Sequence, residues 1–261
     1  MKRKLLGSFL IFLALESCQK EDLKIENSSE SNFVAFQKKW KEAELNSNAL
    51  KIQGNSTCYL FSKETINGLL LNTHVVNFRF VLGLTNEKLD IKVQGVDLEG
   101  VNRGVVNSII SNDRSVASVL KVLHTSTLKS SSNRSIVGQH LLEPKVAFDY
   151  INKWNTKLKN ATGVEDVVSY DMERIRHFSI EKEVITEIAK SNGFKYLGVF
   201  FGINPEGKLT TVLVGLDENK NIILPSSLSR DASELGGVYD FTKPCPNTCD
   251  PGSSLNRQMS Q

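Results

Sequence analysis

Short blocks of residues recur in the same order at nearly constant separation. A chain built this way must fold as two like units, neither of which buries its apolar faces alone. Val34-Ala35-Phe36 and Lys39-Trp40 return as Val146-Ala147-Phe148 and Lys153-Trp154, and Phe61-Ser62 returns as Phe178-Ser179. "FRFVLGLTNEKLDIKVQGVDLEG" then lies over "LGVFFGINPEGKLTTVLVGLDEN", which sets Gly83 on Gly202, Leu89 on Leu209, Gly95 on Gly215 and Asp97 on Asp217. The separation drifts only from 112 to 120, as small loop insertions would cause. The pattern predicts a tandem duplication of one unit.

Each copy opens on an amphipathic helix, with Phe33, Phe36 and Trp40 on one face in the first and Phe148, Ile151, Trp154 and Leu158 in the second. A second helix is expected to start at a serine cap, Ser62 or Ser179, and Asn192-Gly193 should stop it in the second copy. A β-hairpin follows. Val75–Leu84 and Phe194–Ile203 are rich in β-branched and aromatic residues, and the return strands Lys88–Val96 and Lys208–Leu216 end at Asp97 and Asp217. After the first copy comes another helical stretch, with Val116, Val119, Leu120 and Leu123 on one face.

A lone hairpin is marginal in water. The expected fold class is therefore α+β: a duplicated helix-helix-hairpin unit forming one four-stranded, antiparallel-rich sheet, helices packed on one face and the other face open. The expected boundaries are residues 33–124 for the first unit, 125–143 for a polar linker, 144–242 for the second unit and 243–261 for a Cys/Pro-rich tail.

The N-terminus carries an address. Lys2, Arg3 and Lys4 precede an uncharged apolar run of 11 residues, Leu5 to Leu15. That run fits an export signal and is too short to cross a bilayer core of about 30 Å. Leu15-Glu16-Ser17-Cys18 resembles the bacterial lipobox, departing from it at Glu16. The resemblance implies cleavage after residue 17 and acyl chains, palmitate among them, on Cys18; several such chains make a stable anchor. Gln19, Lys20, Glu21 and Asp22 resemble the export signal of Bacteroidota lipoproteins, which implies display on the outer membrane facing the medium. Residues 18–32 are polar and read as a tether.

Charge argues against nucleic acid as a partner. The chain has 32 basic and 29 acidic residues; without the three and one in the signal, 29 and 28 remain. Neither HExxH nor GxSxG occurs, no phosphate loop is present, and His74, His124, His140 and His177 stand singly, suited to solvated or capping roles. "DENKN" from Asp217 spaces its oxygen ligands as calcium loops do but lacks their glycine and distal glutamate, so a turn explains it better. Trp40 and Trp154 are expected in the core.

In "KPCPNTCDPG" prolines exclude helix and central strand. Cys245 and Cys249 are close enough for a disulfide across a tight turn, a clip worth about 2 kcal/mol, while Cys58 is left as a buried thiol. Three intervening residues and the prolines argue against a redox motif, and zinc would want further ligands nearby. The sequence thus points to a lipid-anchored surface module that binds a protein or glycan without catalysis and without a cofactor. The alternative is a hydrolase of an extracellular polymer whose residues converge only in the fold.

Overall fold

The computed structural model describes residues 30–45, 57–111, 114–129, 135–160, 162–225, 237–240 and 243–246. The first helix, α1 (Glu30–Glu42), starts three residues ahead of the expected onset at Phe33, and Phe33, Phe36 and Trp40 are its buried side chains. Its counterpart α5 (Pro144–Asn160) buries Ala147, Tyr150, Ile151, Trp154 and Leu158. Two hairpins follow the predicted bounds closely. β2 (Asn77–Thr85) and β3 (Lys88–Val96) turn through Asn86 and Glu87, both at positive φ, 50° and 62°, a geometry that matches strand twist. β9 (Tyr196–Ile203) and β10 (Leu209–Leu216) form the second hairpin.

These hairpins do not share one sheet. The structure has two five-stranded antiparallel sheets and a two-stranded ribbon, which corrects the expected single four-stranded sheet with helices on one face. Both faces of each hairpin are apolar: on β9, Leu197, Val199 and Phe201 enter one cluster while Phe200 enters another. A layer with an open face would leave half of these side chains in water, at about 25 cal/mol for every Å².

The two strands that complete the sheets are short and escaped the sequence pattern. β1 (Cys58–Ser62) joins the second hairpin, pairing with β9 from Tyr59↔Val199 to Ser62↔Tyr196. β8 (His177–Glu181) joins the first, pairing with β2 from Asn77↔Glu181 to Val81↔His177. Each half thus lends a strand to the hairpin of the other. The helices α2 (Lys63–Leu71) and α7 (Lys182–Lys190) carry the chain across: α2 from β1 in one sheet to β2 in the other, α7 from β8 to β9.

Residue separations are constant across this plan. Ser62 and Glu181 precede their helices, Asn77 and Tyr196 open their strands, and Gly83 and Gly202 sit within them, every pair 119 apart. After the hairpin turns the separation is 120. The cap of α7 is therefore Glu181, not Ser179 as expected; Ser179 is a strand residue registered between Arg79 and Lys243.

The inner faces of the sheets enclose the main core, which Tyr59 bridges by donating from its hydroxyl to the Leu89 carbonyl oxygen at 2.9 Å. α1 covers the outer face of the sheet holding β2. α5 and α3 (Arg114–Thr125) cover the outer face of the other. Both coverings need a glycine beneath the helix. A Cβ on Gly83 would stand 2.2 Å from the Phe36 ring, and one on Gly202 would stand 2.8 Å from the Tyr150 Cβ.

Smaller elements finish the edges: β4 (Asn102–Asn107), β5 (Ile109–Ser111), α4 (Ile136–Gln139) within the expected linker, α6 (Val164–Val167), the ribbon β6 (Ser169–Tyr170) and β7 (Glu173–Arg174), and β11 (Val238–Tyr239). The described start of the Cys/Pro-rich tail supplies β12 (Lys243–Cys245) at the edge of the sheet beside β8, with Cys245 wholly buried. Pro244 is tolerated because an edge strand can leave one side without a ladder donor.

Gly83→Ala and Gly202→Ala should each lower stability by about 1–3 kcal/mol through overpacking. Gly68→Ala, with nothing within 4 Å of the added carbon and a helical backbone, should raise it by about 0.5–1 kcal/mol. Chemical denaturation of the three variants checks this ordering.

Candidate functional site

The site lies where β8 begins and its pairing with β2 stops. Beyond Val81↔His177 the chain no longer follows β2 as a ladder strand, although Leu82 still donates its N–H to the Arg176 carbonyl at 2.9 Å. α1 crosses above this gap. Between the helix and residues 174–176 is a cleft of about 280 Å³, just below the roughly 300–1,000 Å³ usual for small-molecule sites. Its floor is Trp40 and Leu82, both members of the inter-sheet core. One wall is α1, through Val34, Gln37, Lys38 and Lys41; the other is Arg174 and Arg176.

Arg174 holds the cleft in shape. Its Nη1 donates to the Trp40 carbonyl at 2.5 Å, and its Nε and Nη2 donate to the two oxygens of Glu165, both at 2.7 Å. The guanidinium also lies 5.5 Å from the Trp40 ring centroid, so the last turn of α1 is fixed by charge, by a capped carbonyl and by a cation–π contact. The indole Nε1 in turn donates to the Ile175 carbonyl at 2.7 Å. Arg176 donates from Nη2 to the Cys245 Sγ at 3.1 Å and pairs loosely with Glu173 at 3.6 Å. Lys38 and Glu42 approach to 3.8 Å, both side chains more than 60% exposed. Gln37 lines the cleft, and its Oε1 is buried without a hydrogen-bond donor.

A second polar cluster is largely internal, with Glu181 half-buried. His140, expected to be solvated or to serve as a cap, is the C-cap residue of α4 and is buried rather than solvated. Its Nε2 lies 3.0 Å from Glu181 and its Nδ1 2.9 Å from the Asp240 carbonyl oxygen. Asp240 returns its N–H to the His140 carbonyl at 2.8 Å and accepts from Thr210 Oγ1 at 2.5 Å. Burial first, then the Asp240 charge, pushes the Tyr150 hydroxyl above its ordinary range, so it stays protonated at neutral pH. These bonds tie α4, β8 and β11 together, and a side chain held at both ring nitrogens is a clamp. His177 is likewise buried, within β8, whereas His74 and His124 are exposed.

The remaining residues singled out in the sequence fall as follows. Asp217 is a turn residue: its Oδ1 accepts the N–H groups of Asn219 and Asn221, both at 2.8 Å. Asp97 does the same for Glu99 and Val101 at 3.0 and 2.8 Å, with Gly100 and Lys220 at positive φ in matched places. Trp40 and Trp154 are core residues, and Trp40 also lines the cleft. Cys58 is a buried free thiol, and Cys245 is disulfide-bonded to a partner outside the described residues. Cys18, Gln19, Lys20, Glu21, Asp22 and Cys249 also lie outside them. Among the described residues no group of three or more His, Cys, Asp or Glu is placed to hold a metal ion, and no helix is long and apolar enough to cross a membrane.

Gln37, Lys38, Leu82, Arg174 and Arg176 were not singled out in the sequence. The available signal was weak: a tryptophan inside "QKKWK", and Arg174 and Arg176 two apart in an extended stretch. Comparison of the chain with known protein families, characterised proteins and solved structures finds no match.

The Arg174 hydrogen bond holds the Glu165 carboxyl below its usual range, against a smaller opposing effect of burial. The pair therefore stabilises the fold at neutral pH, and its contribution is lost as pH falls through the lowered folded value. Arg174→Met should move Glu165 titration, followed by NMR, back up toward the ordinary carboxylate range and loosen the end of α1.

Proposed function

We propose that the protein is a lipid-anchored binding module, held through acyl chains on Cys18 and displayed on the outer membrane toward the medium. The observation that carries the binding half of this reading is the cleft between α1 and residues 174–176, largely apolar in its lining and flanked by Lys38 and Lys41. Sites of this kind, apolar with a few convergent polar groups, are where small ligands and peptide ends lodge. The address half rests on the lipobox-like end of the apolar run and on Gln19, Lys20, Glu21 and Asp22.

We also propose that the two halves are copies of one unit. The constant separation of 119 and then 120 residues supports this, as do the paired glycines under α1 and α5 and the matched Asp97 and Asp217 turns. The hydrolase alternative has in its favour the His140–Glu181 pair, whose imidazole is engaged at both ring nitrogens and which lies apart from the cleft lining.

Cys18→Ala should move the protein from the membrane to the soluble fraction and abolish fatty-acid labelling. Replacing Lys20, Glu21 and Asp22 with Ala should keep the label but protect the protein from protease added to whole cells. Membrane association unchanged in the first variant, or digestion unchanged in the second, contradicts the corresponding part of the proposal.

A further inference from the structure

Cys245 sits in a setting that a purely structural disulfide does not need. The spacing of the tail cysteines is not that of a dithiol redox motif, yet the surroundings of this sulfur favour its reduced form. Cys245 is wholly buried and disulfide-bonded, and because Cys58 is a free thiol the partner is Cys18 or Cys249. Arg176 donates from Nη2 to the Cys245 Sγ at 3.1 Å, and its backbone N–H donates to the Cys245 carbonyl at 2.8 Å. A neutral disulfide sulfur is a weak acceptor, whereas a thiolate in the same place makes an ion pair at hydrogen-bond distance. The Arg176 side chain is only 12% exposed, so water screens such a pair little. Its pair with the half-exposed Glu173, at 3.6 Å, is a loose one. The other charged or titratable neighbours are Lys38, Lys41 and Glu42 across the cleft, Arg174 with its partner Glu165, and His177, opposite Cys245 in the register. The Arg176 contact therefore stabilises the reduced state more than the oxidised one, which shifts exchange toward opening.

We propose that the Cys245 disulfide is a thiol-exchange site, opened reversibly by a dithiol, with Cys245 leaving as a thiolate held by Arg176. Because Cys245 is wholly buried, the thiolate of the reductant attacks the partner sulfur, and the S–S bond breaks with its electron pair going to Cys245. The second thiol of the reductant then attacks the reductant's own sulfur in the mixed disulfide, which closes the reductant's disulfide and frees the partner cysteine as a thiol. Two electrons pass from the reductant to the protein. Of the two protons the reductant gives up, one stays on the partner thiol and one goes to solvent, since Cys245 keeps its charge.

The experiment is equilibration of the full chain with mixtures of reduced and oxidised dithiothreitol, quenched by alkylation in denaturant and read at each cysteine by peptide mapping. Between about pH 6 and pH 8 the reagent's own thiols stay protonated. A Cys245 released as thiolate then makes the reduction equilibrium rise about ten-fold per pH unit, for the one proton released, whereas two ordinary thiols make it flat. Arg176→Met should abolish the rise and, near pH 8, lower the reduction equilibrium on the order of ten-fold. Arg176→Lys, which keeps a cation, should retain the rise. A purely structural role for Arg176 gives the opposite sign, because loosening β12 would make the bond easier to reduce. Cys58, buried in the other sheet, should stay unreactive toward alkylation in the native reduced chain.

A flat pH profile in the wild type overturns the inference, as does a rise that survives Arg176→Met or vanishes in His177→Gln. Alkylation of Cys58 on reduction also overturns it, since the bond would then be a staple whose loss unfolds the chain.

Discussion

The exchange of two five-residue strands is the constraint on which the remaining structure depends. β1 leaves its own half to pair with β9, and β8 leaves its half to pair with β2. Without the exchange the second hairpin would keep only the two-residue β11 beside it and the first only β4, and sheets this small are marginal in water. Because α2 and α7 follow the exchanged strands directly, the chain has to cross between sheets at both places. That fixes the sheets face to face around Phe78, Phe80, Phe178, Leu197, Val199 and Phe201.

The cleft follows from the same geometry. β8 is shorter than the strand it pairs with, so Leu82 extends past the ladder. α1 spans this place because Gly83 lets Phe36 sit down on β2, and the helix then carries Trp40 over the gap. The residues preceding β8 turn back through the β6–β7 ribbon, and this brings Arg174 to the end of α1. A packing solution and a ligand-sized space thus share Trp40, whose indole N–H is already bonded to Ile175.

Much of this was readable in the sequence. The helices over Phe33–Trp40 and Phe148–Leu158 and the hairpin bounds at Lys88–Val96 follow from periodicity, and the helix start at Ser62 follows from its cap. The strands "CYLFS" and "HFSIE" were not readable, since five residues running straight into a helix show neither a turn nor a full alternation. Their absence led to the single sheet and to Ser179 as a helix cap. Pairing between distant segments is a tertiary choice, decided here by the burial of both faces of each hairpin. The cleft was less legible still, because Gln37, Leu82 and Arg176 come from separate elements and the strand exchange is what brings Arg176 to α1 and β2.

Native-state hydrogen exchange of the full chain tests the strand exchange most directly. If β1 and β8 hold the two halves together, their ladder amides should open only through global unfolding, within about 1 kcal/mol of those in β2 and β9. Exchange in β1 and β8 several kcal/mol more readily, with β2, β3, β9 and β10 still protected, would make them appended edges and contradict the interlocked fold.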